Sequence, residues 1–272
     1  MHKPQAFPWY DSLWLGAYVQ AKNILSEYHP EKLDDFISAM RAFKTDPTFR
    51  EVAVNSILSN KTLMQVRSII SDIDPSLYQK HEFLQFGRMV IHDHPEFDVL
   101  QRELCGLVED VVGERVEPSY NFLSLYNNLG NCEPHMDAPL AKWTLDICID
   151  QSATWPIYFS DVMPWPESFI STEDWQSKIT NNPKRPFREY TLKPNDAIIF
   201  GGSSQWHYRN RIEQRFKQNF CHLLFMHFIP LGTKELVNPN NWASIFSVPE
   251  LANIDYAKKP EKPTHDSTKA KT

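Results

Sequence analysis

The sequence predicts an α+β protein, mainly β, in which helices come first and a sandwich or barrel of short strands follows. In the first half apolar residues recur at spacings of three and four, whereas from Ser119 onward they alternate with polar residues. The chain has 272 residues, of which 42% are hydrophobic, enough for one large core. We expect a single domain over residues 1–256, with a helical part to about residue 115, a β core over about 116–232 and a disordered tail over 257–272.

The helix predictions rest on three segments. In EFDVLQRELCGLVEDVVGE, which begins at Glu96, the apolar residues form one face and Gly113 stands at a helix C-cap position. This pattern predicts one amphipathic helix. TLMQVRSIISDI, from Thr62, repeats the pattern and ends before Pro75, and KLDDFISAMRAF, from Lys32, is a weaker third case.

The strand predictions rest on segments that are rich in β-branched and aromatic residues and are bounded by Gly, Pro, Asn and Asp. These are SYNFLSLYNN, KWTLDICID, WPIYFS, REYTLKPNDAIIFGG, SQWHYRN and NFCHLLFMHF. Between Asp161 and Arg188 no period is clear, and the segment is too long for a hairpin connection. Residues 161–188 are therefore a candidate lid, although the tryptophans there fit a core equally well. The last residues, AKKPEKPTHDSTKAKT, are polar and lysine-rich, which predicts the disordered tail.

Charge and cysteine content restrict the expected partners. The formal net charge is −6, so we expect no nucleic-acid backbone and no anionic membrane surface as a partner. No apolar run is long enough for a membrane-spanning helix. The four cysteines show no CxxC spacing and the N-terminus has no signal-like apolar run, which favours a reduced, cytoplasmic setting. Small molecules or proteins remain as partners, and the oligomeric state is left open.

One motif carries chemistry. In EPHMDAPLAKWTLDICID, His135 and Asp137 are separated by one residue, and alternate side chains of an extended segment point to the same side. His207 lies much further along, in DAIIFGGSSQWHYRN, where a strand begins after a Gly-Gly turn. Two histidines and one carboxylate on one face of a metal leave the opposite positions open for a cosubstrate and dioxygen, as in non-haem Fe(II) oxygenases. The sequence thus predicts a metal site formed by His135, Asp137 and His207.

With HMD and LKPNDAIIFGGSSQWHYRN, roughly residues 88 to 229 resemble the 2-oxoglutarate and Fe(II)-dependent dioxygenases of the prolyl 4-hydroxylase-like type. The resemblance implies a double-stranded β-helix (a jelly roll, cupin-like) backed by N-terminal helices. It also implies Fe(II) bound by His135, Asp137 and His207, with 2-oxoglutarate and O2 as cosubstrates. In that family a tyrosine on the strand leading to HxD often contacts the cosubstrate, and Tyr126 has that place here.

This sequence departs from the family pattern in the basic residue that would bind the distal carboxylate of 2-oxoglutarate. The family usually places an Arg or Lys on the last barrel strand, beyond the distal histidine. Lys217 has the usual count and Arg215 is close to it, but both precede the predicted strand, and the usual register falls on Cys221. Arg209 lies on the same strand face as His207, and an arginine can hold a carboxylate through two parallel hydrogen bonds. We rank Arg209 first, then Lys217, then Arg215.

The reaction implied by the resemblance is oxidation of an unactivated C–H bond with decarboxylation of 2-oxoglutarate to succinate. Because related halogenases replace the carboxylate ligand, an intact Asp137 favours hydroxylation, with desaturation or cyclisation as alternatives. The substrate is expected to be a small molecule such as an amino acid or a biosynthetic intermediate. Hydroxylation of a protein or peptide side chain and a catalytically silent β-helix binding module are the alternatives.

Other histidines fit structural roles better. His92 and His94 alternate in IHDHPE, but they precede a predicted helix rather than join two strands. His222 and His227 lie on the last predicted strand, where packed or hydrogen-bonded side chains are the simpler expectation.

Overall fold

The computed structural model describes residues 7–167, 173–213 and 219–254. Within these ranges the α-helices are α1 Leu13–Tyr28, α2 Pro30–Met40, α3 Asn60–Asp72, α4 Phe83–Phe86, α5 Pro95–Glu103, α6 Cys105–Val112, α7 Trp175–Thr180 and α8 Trp242–Ile245. The strands are β1 Val52–Val54, β2 Arg88–His92, β3 Val116–Tyr126, β4 Cys132–His135, β5 Trp143–Gln151, β6 Ile157–Val162, β7 Arg188–Tyr190, β8 Ala197–Phe200, β9 Gln205–Arg209 and β10 Cys221–Pro230. Short 3-10 turns occupy Arg41–Phe43, Pro75–Leu77, Pro139–Ala141, Pro239–Asn241 and Pro249–Asn253.

The described strands form two antiparallel sheets. One has six strands in the order β1-β8-β5-β10-β3-β2, and the other has four in the order β4-β9-β6-β7. The central strand β10 pairs with β3 on one side and with β5 on the other, so that Phe225 lies opposite Phe122 and Asp146. Helices accompany the sheets, so the expected mixed architecture with N-terminal helices is present.

Three helices cover the outer face of the six-stranded sheet. Leu63 of α3, Phe97 of α5 and Val108 of α6 belong to one apolar cluster with Leu123 of β3 and Leu145 of β5. Because side chains alternate along a strand, the intervening residues of β3 point to the other side, toward the four-stranded sheet. This alternation leaves the inner faces of the two sheets to form a cavity.

A second apolar cluster joins the N-terminal helices to the C-terminal part of the described chain. Trp14 of α1 packs against Trp242 and Trp165, with ring centroids 5.4 and 5.3 Å away. Trp165 lies in the segment proposed as a lid and is only 7% exposed. Its side chain is therefore part of the core, which the sequence analysis gave as the alternative to a lid position. Ile179 of α7 is buried in the same cluster.

One of the predicted helices is divided in the structure. The single helix expected from Glu96 is two, because Leu104 between α5 and α6 has φ −88° and ψ −2°, away from the α-helical ψ near −42°. Gly113 ends α6 in the left-handed conformation, as the C-cap pattern predicted. The two other predicted helices correspond to α3 and α2, and Ser59 caps α3 by accepting a hydrogen bond from the Thr62 amide.

Two strands lie inside the part that was predicted to be helical. β1 and β2 are the edge strands of the six-stranded sheet. β1 has three residues, and RMVIH in β2 has no clear alternation, so neither carries a strong strand signal. The long apolar helix α1 was not predicted either. The predicted tail over 257–272 lies outside the described residues.

Among the helices described, none combines the length and the apolar character that crossing a membrane requires.

Candidate metal centre and its cavity

Two distant parts of the sequence meet at one point between the sheets. His135 ends β4 and lies directly opposite His207 of β9 in the strand pairing. Asp137 follows two residues after His135. The Nε2 atoms of His135 and His207 lie 3.4 and 3.6 Å from Oδ1 of Asp137, and one ligand atom from each of the three residues lies within 4.8 Å of the others. The three predicted metal ligands are therefore brought together.

Both imidazole rings are oriented by backbone carbonyls. Nδ1 of His135 lies 2.8 Å from the carbonyl oxygen of Glu133, and Nδ1 of His207 lies 3.0 Å from that of Gln205. A carbonyl oxygen only accepts, so each Nδ1 carries a proton and donates it. Each Nε2 is then directed to the carboxylate of Asp137. Histidines that bind metals are typically held in this way through their other ring nitrogen, so the donor set fits a divalent cation.

A tight loop between β8 and β9 fixes Asp137. The amide of Asp137 donates to the Gly202 carbonyl at 2.9 Å, and the Thr144 hydroxyl donates to Oδ2 of Asp137 at 3.3 Å. A Cβ atom on Gly202 would overlap Oδ2 of Asp137, the carbonyl of Ala141 and the hydroxyl of Thr144. Glycine at this position therefore allows the backbone to approach the carboxylate closely.

The charges of the three groups are set by burial and by one another. Burial, together with the neighbouring His135, lowers the pKa of His207 to about 4. Burial alone would raise the pKa of Asp137, but His207 and His135 hold it well below its usual range. The carboxylate is thus ionised and His207 neutral near pH 7, the protonation states that metal ligation requires. Burial opposes a proton on His135, yet Cys132 and Asp137 raise its pKa overall, so a cation at His135 would displace a proton.

The three residues line a cavity of about 180 Å³ between the sheets. Aromatic side chains form the wall on the six-stranded sheet: Phe122 stacks on Phe225 across the strands, with centroids 4.8 Å apart. Beside them the ring of Tyr120 stacks on His227 at 4.2 Å. The cavity therefore has the three ligands at one place, which we call the histidine end, and an apolar aromatic wall next to it.

A second place in the cavity, which we call the arginine end, contains Arg88, Tyr126 and Arg209. Tyr126, the predicted cosubstrate contact, is buried, and its hydroxyl accepts a hydrogen bond from Nη1 of Arg88 at 2.7 Å. Arg209, ranked first among the predicted cations, also lines the cavity, but its Nη2 donates to Oδ2 of Asp146 at 2.7 Å. Its guanidinium lies over the ring of Trp155 as well. Lys217 and Arg215, the other predicted cations, lie outside the described residues.

Arg88 is a cavity residue that the sequence did not single out. It is 8% exposed, and its Nε donates to Oε2 of Glu82 at 2.5 Å. Tyr126 pairs with Arg88 on one side and with Cys221 on the other, so the arginine lies in the same row as Cys221. Cys221, at the position where the resemblance led us to expect an arginine, is thus aligned across the sheet with Arg88 of the edge strand β2. Only the pairing of β2 with β3 reveals this, because nothing in RMVIH marks Arg88.

Two further histidines, His227 and His92, line the cavity. His227 is 2% exposed and its Nδ1 lies 3.0 Å from the Thr144 hydroxyl, which in turn contacts Asp137. His92 lines the cavity beside Phe122. Neither belongs to the cluster of three ligands found among the described residues.

No protein-family model matches the sequence, and a search of curated proteins found no match. Solved structures do match. HygX from Streptomyces hygroscopicus, with nickel, 2-oxoglutarate and hygromycin B bound, is 11% identical; the match covers 67% of this chain and 83% of that one, with a TM-score of 0.46. An oxidoreductase of the 2OG-Fe(II) oxygenase family from Burkholderia pseudomallei is 10% identical over 72% of this chain and 89% of that one, at 0.47. A Pseudomonas putida prolyl-4-hydroxylase is 7% identical over 66% and 93%, at 0.44.

The matching structures thus include 2OG-Fe(II) oxygenases and a prolyl-4-hydroxylase, the type that the sequence resembles. At these identities and TM-scores the likeness carries no weight for this chain, whose function rests on the geometry of its own site.

Proposed function

We propose that the protein is a non-haem Fe(II)- and 2-oxoglutarate-dependent oxygenase that hydroxylates an unactivated C–H bond of a small molecule. The observation that carries the proposal is the convergence of His135, Asp137 and His207, with both Nε2 atoms directed at one carboxylate oxygen and both Nδ1 atoms bonded to backbone carbonyls. Two histidines and one carboxylate with open positions occur in Fe(II) oxygenases and also in catalytic zinc sites, but the HExxH motif that supplies zinc ligands in many metalloproteases is absent from this sequence. Magnesium sites use oxygen ligands and do not match this donor set.

The strand order supports a double-stranded β-helix as the framework. The eight strands from β3 to β10 divide equally between the sheets, in the orders β3-β10-β5-β8 and β4-β9-β6-β7. Along the chain they change sheet after every strand except between β6 and β7. Two four-stranded layers of this kind correspond to a jelly roll, to which β1 and β2 would be additions at the edges.

When bound, Fe(II) with 2-oxoglutarate and O2 would supply the oxidising chemistry, with decarboxylation of the cosubstrate to succinate. The chain's own residues perform three tasks. His135, Asp137 and His207 hold one face of the ion and leave the cavity side open. The ionised Asp137 balances part of the ion's charge. The aromatic wall of Phe122 and Phe225, both half-buried, covers that side and limits the access of water.

For the distal carboxylate of 2-oxoglutarate we propose Arg88 with Tyr126, and we place Arg209 second. Arg209 already pairs with the fully buried Asp146, so a ligand would have to compete with a carboxylate that has no access to water. Arg88 uses Nε for Glu82 and Nη1 for Tyr126. A guanidinium has five N–H donors, so Arg88 keeps donors for a further oxygen.

The proposal is tested by measuring succinate formation with Fe(II), 2-oxoglutarate and O2 while candidate substrates are added. We expect free amino acids or related small molecules to stimulate succinate formation, and peptides containing the same residues not to. Stimulation by peptides alone would instead identify a hydroxylase of protein side chains. Binding of Fe(II) and 2-oxoglutarate without any succinate would identify a silent binding module.

A further inference from the structure

We propose that Gln205 is a positioning residue that sets the metal affinity of the site, and that Glu51 from the N-terminal part acts through it. The inference rests on the proposed function, because it concerns the same three ligands. Neither residue touches the ligand atoms of the proposed cation. Their effect would be exerted through the loop between β8 and β9, which consists of residues 201–204.

This loop contacts two of the three ligands through its backbone and its boundary residue. The Gly202 carbonyl accepts from the amide of Asp137 at 2.9 Å, and the Gln205 carbonyl accepts from Nδ1 of His207 at 3.0 Å. A shift of the loop would therefore move the carboxylate and rotate the imidazole together. The distance between Oδ1 of Asp137 and Nε2 of His207 depends on how firmly the loop is held.

The side chain of Gln205 closes the loop. Its Oε1 accepts from the Gly201 amide at 2.9 Å, and its Nε2 donates to Oε2 of Glu51 at 2.8 Å and to the Ser160 carbonyl at 3.0 Å. The amide is completely buried. Because Gly201 offers a donor and the other two partners offer acceptors, only one orientation of the amide satisfies all three bonds. The loop thus has a fixed anchor whose polarity is defined.

Glu51 connects this anchor to the rest of the fold. It precedes β1, is 4% exposed, and receives two parallel hydrogen bonds from Arg188 of β7, at 2.6 and 2.7 Å. Burial alone would raise the pKa of Glu51, but the bonds from Arg188 keep it below its usual value, so the carboxylate stays ionised. A charged acceptor makes a stronger hydrogen bond to the Gln205 amide than a neutral one.

Two residues at the start of the proposed lid, Met163 and Trp165, form hydrogen bonds to the same loop. The amide of Met163 donates to the Ser204 carbonyl at 2.7 Å, and Nε1 of Trp165 donates to the Ser203 carbonyl at 2.9 Å. The carbonyls of Ser203 and Ser204 are thereby occupied. The loop is held from both sides, and Gln205 is the side chain that joins these contacts to His207.

The test compares Gln205→Glu with a matched control, Gln101→Glu. Gln101 is also a buried amide: its Nε2 donates to the carbonyls of Tyr120 and His227 and its Oε1 accepts from Asn121, so the same substitution creates the same kind of conflict away from the loop. Co(II) binding to the full chain is measured by calorimetry and by the visible Co(II) absorption bands. Thermal unfolding is measured on the same samples without added metal.

We expect Gln205→Glu to weaken Co(II) binding by about 10- to 100-fold, the range seen when outer partners of metal ligands are removed. Gln101→Glu should lower the unfolding temperature similarly and leave the Co(II) affinity unchanged.

In the exchange variant E51Q/Q205E the new carboxylate at position 205 faces an amide donor at position 51, and we expect part of the Co(II) affinity to return. E51Q alone keeps an acceptor for the Gln205 amide and should give an intermediate loss of Co(II) affinity. This variant provides the test if Q205E does not fold.

Equal Co(II) affinity in Q205E and the unchanged protein would overturn the inference, as would equal losses in Q205E and Q101E. Absence of Co(II) binding by the unchanged protein would instead overturn the proposed function, and the inference with it.

Discussion

The histidine end and the arginine end of the cavity differ in how their charges are balanced. At the arginine end each guanidinium already has a carboxylate partner, Glu82 for Arg88 and Asp146 for Arg209. At the histidine end two imidazole nitrogens and a carboxylate oxygen converge, and the acceptors outnumber the donors there. Acceptor atoms that lie close together favour binding of a cation, whereas Arg88 keeps N–H donors beyond those used for Glu82 and Tyr126, which favours binding of an anion. Under the proposed function, the metal binds at the histidine end and the distal carboxylate of 2-oxoglutarate at the arginine end.

The largest expected effect comes from removing a ligand at the histidine end. His135→Ala, Asp137→Ala and His207→Ala should each reduce Fe(II)-dependent succinate formation by more than about 100-fold, since losing only an outer partner of a ligand already costs 10- to 100-fold. Succinate release is the measurement. His81→Ala changes an exposed histidine far from the three ligands in the chain and serves as the control. Turnover that persists in all three variants would refute the assignment.

A smaller effect is expected from Gly202→Ala. The added Cβ would overlap Asp137, Ala141 and Thr144, so we expect a loss of about 1–3 kcal/mol in unfolding free energy from overpacking. Because Asp137 would be displaced, Co(II) affinity should fall as well. Gly106→Ala is a suitable control, because a Cβ there meets nothing within 4 Å. Unchanged unfolding and unchanged Co(II) binding in G202A would show that the close approach does not matter.

A substitution at the arginine end should weaken the binding of 2-oxoglutarate and leave the binding of the metal unchanged. Arg88→Gln should weaken 2-oxoglutarate binding by about 10- to 100-fold, the equivalent of one charge-assisted hydrogen bond, and leave Co(II) affinity unchanged. Binding of 2-oxobutyrate, which lacks the distal carboxylate, should be the same in R88Q and the unchanged protein. If R88Q weakens both ligands equally, Arg88 does not hold that carboxylate.

Arg209→Gln sharpens the contrast between the two arginines. It leaves Asp146 buried without its partner, so the main expected result is a lower unfolding free energy, by about 3–5 kcal/mol. Chemical denaturation measures this loss. A selective loss of 2-oxoglutarate binding in R209Q with normal stability would restore the sequence-based ranking, in which Arg209 came first.

The smallest effect concerns the pH dependence of stability at Glu51. The folded-state pKa of Glu51 is lowered, so its contribution is present above its unfolded-state pKa and is lost as the pH falls through the folded-state value. The difference in unfolding free energy between the unchanged protein and E51Q should therefore be largest at neutral pH and shrink in acid. Denaturation curves at several pH values measure it, and a difference that is constant with pH would contradict the role of the charge.

The sequence predicted that His135, Asp137 and His207 would lie together, because the signals for these residues are local. His135 and Asp137 lie in one extended segment, and His207 follows a Gly-Gly turn, so alternation and turn chemistry were enough to select them. Arg88 and Glu51 could not be found in this way. Each reaches the site through the pairing of an edge strand, β2 with β3 and β1 with β8, and such pairing depends on the folded sheet. The break between α5 and α6 at Leu104 likewise does not interrupt the three- and four-residue spacing of apolar residues, so the sequence pattern could not predict it.

The most direct measurement is the absorption spectrum of the protein with Fe(II) and 2-oxoglutarate in the absence of oxygen. Chelation of Fe(II) by the keto acid at the histidine end should produce a weak visible charge-transfer band, which His207→Ala should abolish. An absorption spectrum that does not change when 2-oxoglutarate is added would contradict the account. A band that persists in the His207→Ala variant would contradict it as well.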